Sequence, residues 1–274
     1  MNSAEPVLTP TLIVVCVVMV LTAAAVNRLV LNGSVWEVPN AAVRATLQLA
    51  AVSTVLAVAL QHMWSSVLVL FVMFIVASIT AARRSQARYG AAWLAVALAA
   101  GMVMVIPLLT LSGVVPFVGV AVVPVFGIVL GGTMTASAVA ARRALDALSQ
   151  RAGEVEVALS LGLPERFSRM LVIKRPLSDA LLPNLDQTRT AGLVTLPGAF
   201  VGVLLATGSA AQAAAVQVLV LVSLLLAQTC GVSVVGELVA RGKIARPNDA
   251  IVPASDAPPF YALARRLGRV PTIK

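Results

Sequence analysis

The chain has 274 residues, of which 59% are hydrophobic and 11% charged, with a mean hydropathy of +0.97, so it holds too little polar surface to coat a water-soluble globule. Its net charge of +9 does not indicate nucleic acid, because the basic residues border apolar runs, where positive-inside bias and anionic headgroups account for them. With one His and two Cys, no Ser/His/Asp set and no H-E-x-x-H motif, nothing in the sequence supports an enzyme or a disulfide framework.

Seven apolar runs reach membrane length: 7–26, 41–60, 64–82, 91–111, 114–141, 190–207 and 212–239. About 20 helical residues cross the ~30 Å hydrocarbon core. The runs lack the period-2 alternation of a membrane barrel, and in lipid each segment must satisfy its own backbone. The expected fold is therefore all-α: a polytopic membrane protein with about seven transmembrane helices and a helical cytoplasmic insert at 142–189. The first run comes after Glu5 and has no basic n-region, so it reads as a retained span. With the N-terminus outside, Arg28, Arg83, Arg84, Arg88, the insert and the tail from Arg241 all face inward. The outer connections near 61–63, 112–113 and 208–211 carry no Lys or Arg, which predicts a multi-pass plasma-membrane protein with its C-terminus in the cytoplasm.

In the second run Arg44 and Gln48 lie one helical turn apart on one face. An intramembrane Arg is costly, so the pair fits a gate or a tie to the insert, with Glu237 a candidate partner for Arg44; it equally fits an Arg snorkelling to the headgroups. Met19, Met73, Met102, Met104 and Met134 could mark a soft-metal path, but they share no ligand spacing, and Met also fills gaps in apolar cores. His62, in an outer turn, has no Cys or His companions for a zinc site, and Cys16 and Cys230 read as small core hydrophobes.

The insert carries 14 of the 31 charged residues. Leu145, Leu148, Ala152, Val155 and Leu159 recur at steps of three and four, so the fifth helix is expected to run on into the cytoplasm and pack on a partner helix or on its own neighbours. Gly162 should end that helix, and Pro164 should open a short one at 164–174 with Phe167, Met170, Leu171 and Lys174 on one side. Pro176 and Pro183 punctuate the stretch beyond it. A short amphipathic helix between two breaks can lie in a groove of an ATPase and turn its closure into tilting of membrane helices; the alternative is an ordinary surface hairpin. Glu156-x-Ala158-x-x-x-Gly162 has the spacing of the EAA coupling loop of ABC importer permeases, although Pro176 falls one residue late.

In the sixth run Pro197-Gly198 removes a helical hydrogen bond, and irregular backbone at membrane depth is tolerated where it faces protein or a water-filled cavity. Thr195, Pro197 and Gly198 are therefore pathway candidates, with a structural kink as the alternative. Residues 1–246 are expected to form the permease domain, and 247–274, rich in Pro, a flexible tail with a short basic surface helix near 262–269. No G-x-x-x-x-G-K-[ST] pattern occurs, since Gly242-Lys243 is followed by Ile244, so an ATPase would have to be another chain.

Several blocks in order carry a resemblance that covers 44–236: Arg44-Ala45-Thr46-Leu47-Gln48-Leu49; Val123-Pro124-Val125-Phe126-Gly127 before Gly131-Gly132-Thr133-Met134; Leu159-Ser160-Leu161-Gly162; Leu182-Pro183-Asn184-Leu185-Asp186; and Gly192-Leu193-Val194-Thr195-Leu196-Pro197-Gly198, then Gly202 and Gln217. Together they resemble bacterial iron-export ABC permeases of the FetB type, related to plant aluminium-tolerance permeases. The resemblance implies the membrane subunit of an ABC exporter for a metal ion such as iron. It also implies a homodimer of this chain, driven by a separate cytoplasmic ATPase subunit that uses ATP, with no cofactor on this chain. Arg44, Gln48, Met134, Thr195, Pro197, Gly198 and Gln217 become pathway candidates. Glu156, Ala158, Gly162, Pro164, Phe167, Met170 and Lys174 become coupling candidates. The chain departs from the family at Gly132, usually Asn, at Ala199 and Phe200, often two Met, at Ser209-Ala210, usually Asp-Pro, and at Val216, usually Tyr. These departures remove metal-binding groups, so no metal ligand is assigned, and a non-metal cargo stays open, as does a membrane scaffold or channel without ATP coupling.

Overall fold

The computed structural model describes residues 10–59, 63–113 and 119–246. The start of the first run, His62 and the whole 247–274 tail with its expected helix lie outside the described residues. Among the described residues the chain is all-α, with ten α-helices and one 3₁₀ turn. The chain divides into two compact units, residues 1–63 and 64–274.

The first unit contains α1 (Pro10–Leu31) and α2 (Glu37–Ala59), which pack on each other. Asn27 staples their connection: its Nδ2 donates to Ser34 O at 3.2 Å and to a Glu37 carboxylate oxygen at 3.4 Å, and its backbone carbonyl accepts from the Gly33 N–H. Only Ala24 of α1 is buried, so the rest of its apolar surface suits lipid or another protein surface.

The second unit runs from α3 (Met63–Ser85) through a 3₁₀ turn at Ala91–Trp93 to α4 (Leu94–Leu111) and the 32-residue α5 (Gly119–Gln150). Then come α6 (Ala152–Ser160), α7 (Glu165–Asp179), α8 (Leu182–Thr190), α9 (Gly198–Thr207) and α10 (Ala210–Ala240). Among the described residues five helices are long and apolar enough to cross a membrane: α1, α3, α4 with its 3₁₀ turn, α5 and α10. The second run forms α2, outside that set, with its start four residues earlier than expected.

The sixth run does not form one helix. Its first residues make a turn at Gly192 (φ +83°), whose N–H donates to Thr195 O at 2.8 Å, and helix resumes only at Gly198. Pro197 lacks the N–H that would carry the helix back, and it sits extended at ψ 151° as the cap of α9. At ten residues, α9 is about 15 Å long, half a hydrocarbon core.

Helix α10 is the central post, packing on α4, α5, α7 and α9. Association in lipid depends on close packing rather than escape from water, and small residues allow it. A Cβ on Gly101 of α4 would stand 2.6 Å from Ala227 O of α10, and one on Gly231 would stand 3.0 Å from both Ser137 Oγ and Thr133 Cγ2 of α5. The backbones of α4, α5 and α10 thus meet at glycines, with Ala136, Ala140, Ala141 and Ala144 filling the seam. At the foot of α10 a single backbone bridge joins Tyr89 to Ala245, with N–H···O distances of 3.1 and 3.2 Å. Gly90 (φ +66°) lies so close there that a Cβ would stand 1.7 Å from Lys243 O. The Lys243 ammonium sits 4.5 Å above the Trp93 ring.

Candidate functional site

The charged insert folds onto the membrane helices rather than away from them. Helix α5 ends at Gln150, breaks at Arg151 and continues as α6, whose inward face carries Val155 and Ala158. Val155 packs with Ala147 and Val172 of α7, and Leu148 and Leu159 close the cluster, so the expected a/d stripe packs on the chain's own neighbour. Gly162, at φ +81°, ends α6 as expected, and Pro164 caps α7. The next helix runs to Asp179 and not to 174, straight through Pro176. A mid-helix proline cannot donate to the carbonyl four residues back, here that of Val172. That carbonyl accepts instead from the Arg151 guanidinium at 3.4 Å, so a residue from the α5–α6 break fills the missing donor and the proline does not end the helix. The same guanidinium holds the Glu154 carboxyl below the usual carboxylate range.

Helix α7 buries Ser168, Arg169, Val172, Ile173 and Leu177. Arg169 is 4% exposed and pairs with Glu165 one turn back. The opposite side leaves Phe167 at 48% and Leu171 at 54% exposed, with Lys174 beside them and Met170 half-buried against the core. Val157 of α6 and Leu161 just after it are also exposed, along with Glu156. An apolar patch on the most charged segment of the chain is what a protein-binding surface offers. Of the coupling candidates, Glu156, Phe167 and Lys174 lie on the exposed side, Ala158 is buried at 7%, and Gly162 and Pro164 form the break.

The insert is fastened to the post by charge. Arg166 of α7 forks onto Glu237 of α10, with Nε and Nη2 each 2.7 Å from a carboxylate oxygen, and Arg241 adds a third bond at 2.5 Å. The Glu237 hydrogen bond raises the Arg166 pKa further above the guanidinium range. Glu237, the partner suggested for Arg44, is thus held by Arg166 and Arg241. Just above, Leu177 occupies the room left by Gly236, where a Cβ would stand 2.5 Å from its Cδ1.

The pathway candidates divide between the units. Arg44 and Gln48 are exposed on α2 of the first unit. In the second unit the structure brings Gln217 to the start of α9: its Oε1 accepts from the Phe200 N–H at 3.2 Å, which satisfies one of the first-turn donors opened by Pro197-Gly198. Gln217 is 6% exposed, so this is a capping interaction made inside the protein. Thr195 is exposed, its carbonyl closing the Gly192 turn, and Met134 is half-buried on α5 against the main core.

Reading the sequence missed the most buried polar groups. Gln228 is 0% exposed, and neither its Nε2 nor its Oε1 has a hydrogen-bond partner among the described residues; the Ser137 hydroxyl is likewise buried and unpartnered. A Cβ on Gly132 would stand 2.3 Å from Leu224 Cδ2 and 2.8 Å from Gln228 Nε2, so both side chains use the space that glycine leaves. A lone Gln in an apolar run was the available signal. No group of three or more His, Cys, Asp or Glu able to hold a metal occurs among the described residues.

A family profile described as an uncharacterised protein family, UPF0014, matches residues 10–243. The rice membrane protein STAR2 (Oryza sativa subsp. japonica) is 32% identical over 216 residues, covering 78% of this chain and 75% of the relative. The Arabidopsis thaliana protein ALUMINUM SENSITIVE 3 is 31% identical, covering 65% and 66%. A probable iron export permease protein, FetB, of Escherichia coli (strain K12) is 27% identical, covering 66% and 71%. No solved structure matches.

Proposed function

Because the chain belongs to the UPF0014 family of membrane proteins, we propose that it is the membrane-spanning permease of an ABC transporter, driven by a separate cytoplasmic ATPase. The observation that carries the reading is the exposed Phe167–Leu171 patch on an insert fastened to the central helix through Arg166–Glu237. Nucleotide-driven closure of an ATPase around that patch would pull on α7 and so on the foot of α10. Two copies of the chain pair with two ATPase subunits in the plasma membrane, with the N-terminus outside and the insert in the cytoplasm, where the basic residues favour it. The cargo is a metal ion, exported, as the name of the E. coli relative suggests. A non-metal cargo is the second reading, favoured by the absence of a three-ligand cluster among the described residues.

The test is copurification with the candidate ATPase, followed by ATPase and flux assays in liposomes with and without Fe²⁺. ATP-dependent Fe²⁺ flux supports the reading. A stable complex indifferent to metal keeps the permease and moves the cargo, and failure of any ATPase to copurify overturns both.

A further inference from the structure

We infer that the groove between the end of α3 and α5 binds an anionic phospholipid, with the headgroup phosphate held by Arg83, Arg84 and Arg142. The inference goes beyond the permease reading and needs neither cargo nor ATPase; it requires only that α3 spans the membrane.

Helix α3 carries its own depth marks. It is one of the helices long and apolar enough to cross a membrane. Trp64, 87% exposed at its start, suits one interface, and Arg83 and Arg84 lie in its last turn. The 19 residues from Trp64 to Arg83 rise about 28 Å, close to the ~30 Å hydrocarbon core. With the tryptophan at one headgroup layer, the two arginines therefore stand at the other. There Arg83, Arg84 and the adjoining Gln86 face Thr135, Val139 and Arg142 of α5 across a groove of about 350 Å³. That volume is within the usual range of small-ligand clefts, about 300–1,000 Å³.

The groove gathers positive charge without the anions to match it. Arg83 and Arg84 have no ion pair among the described residues. Arg142 has only Asp146, 3.9 Å away, and that carboxylate is already bonded to Arg246 at 2.5 Å. A guanidinium fork matches two phosphate oxygens, and basic pockets between helices at a membrane surface take lipid headgroups. Acyl chains have a surface to follow from there. Val72, Val76 and Ile79 lead up to Arg83 at steps of four, three and four along one face of α3, and all three are exposed. On α5, Gly131 stands one turn above Thr135 and opens on free space, since a Cβ there would meet nothing within 4 Å. A free phosphate would use the arginines alone, whereas a phospholipid uses both the basic groove and the apolar surface that continues from it.

The test is native mass spectrometry of the full-length chain in detergent, offered phosphatidylglycerol and phosphatidylcholine with the same acyl chains. Phosphatidylglycerol should be retained at least about tenfold over phosphatidylcholine, and less so as salt rises. Thr135→Trp, which fills the groove and leaves every charge in place, should remove most of that preference. The triple variant Arg83→Gln, Arg84→Gln, Arg142→Gln should do the same. Arg28→Gln with Arg88→Gln removes two basic residues outside the groove and should keep the preference. Equal retention of the two lipids by the unaltered chain would overturn the site, as would a preference that survives either groove variant. A preference lost equally in the Arg28→Gln, Arg88→Gln control would belong to overall charge and overturn it too. Displacement of the lipid by soluble glycerol phosphate would assign the arginines to a free phosphate instead. None of these readouts involves the ATPase, so their failure would leave the permease reading standing.

Discussion

Gln228 is a fully buried polar side chain whose two amide atoms have no hydrogen-bond partner among the described residues. A buried unsatisfied amide costs about 1–3 kcal/mol, so Gln228→Met, which keeps the shape and removes the amide, should stabilise the detergent-solubilised protein by that order. Thermal unfolding reads the change, and a lower melting temperature would mean that the amide has a partner in the folded protein. If the more stable variant also transports more slowly, the amide is retained for a state in which α5 and α10 separate. The sequence marks Gln228 as an isolated polar residue. Its surroundings are set in part by Gly132 of α5, 96 positions away, which a reading along one helix does not reach.

Among the elements, α7 separates what local rules can read from what they cannot. Its beginning was legible, because a glycine at positive φ and a proline cap are local devices, and both Gly162 and Pro164 act as such. Its end was not, because Pro176 is a stop only if the Val172 carbonyl stays unsatisfied, and Arg151, 21 residues earlier in the chain, supplies the donor. The sixth run misled for a related reason: hydropathy registers that 190–207 is apolar but not that Pro197 and the Gly192 turn interrupt its hydrogen bonds. Pathway candidates Pro197 and Gly198 were legible as a break, whereas the Gln217 cap depends on how the α9–α10 hairpin folds back. The rescue of α7 predicts a double-mutant coupling. Arg151→Ala should lower the unfolding temperature by roughly a few degrees. Most of that loss should vanish in a Pro176→Ala background, where the backbone N–H restored at position 176 can donate to the Val172 carbonyl itself. Thermal unfolding of the four proteins measures it, and additive losses would show that Arg151 acts only through Glu154.

For the whole molecule the insert is joined to the post by the Arg166–Glu237 pair as well as by the packing of α7 on α10. Phe167→Asp should abolish capture of the ATPase, whereas Glu237→Ala should leave capture intact and uncouple ATP hydrolysis from transport. Copurification and flux assays separate the two. An ion pair with a half-exposed arginine adds little to stability, so Glu237→Ala should barely move the unfolding temperature. Equal loss of binding in both variants would mean that the pair shapes the docking surface instead of transmitting its motion.

The bridge between Tyr89 and Ala245 has a mechanical consequence. Backbone bonds there, Gly90 pressed against Lys243 and the Arg166 fork a turn above immobilise one end of α10. Its other end is joined to α9 through the Gly208 turn. A rod fastened most firmly at one end tilts about that end, and its other tip travels furthest. For 31 residues, about 46 Å, a tilt of roughly 10° carries the α9–α10 tip about 8 Å, while the pinned end hardly moves. On the proposed permease reading, a small stroke at the insert would be geared up into a larger displacement at the far end of α10.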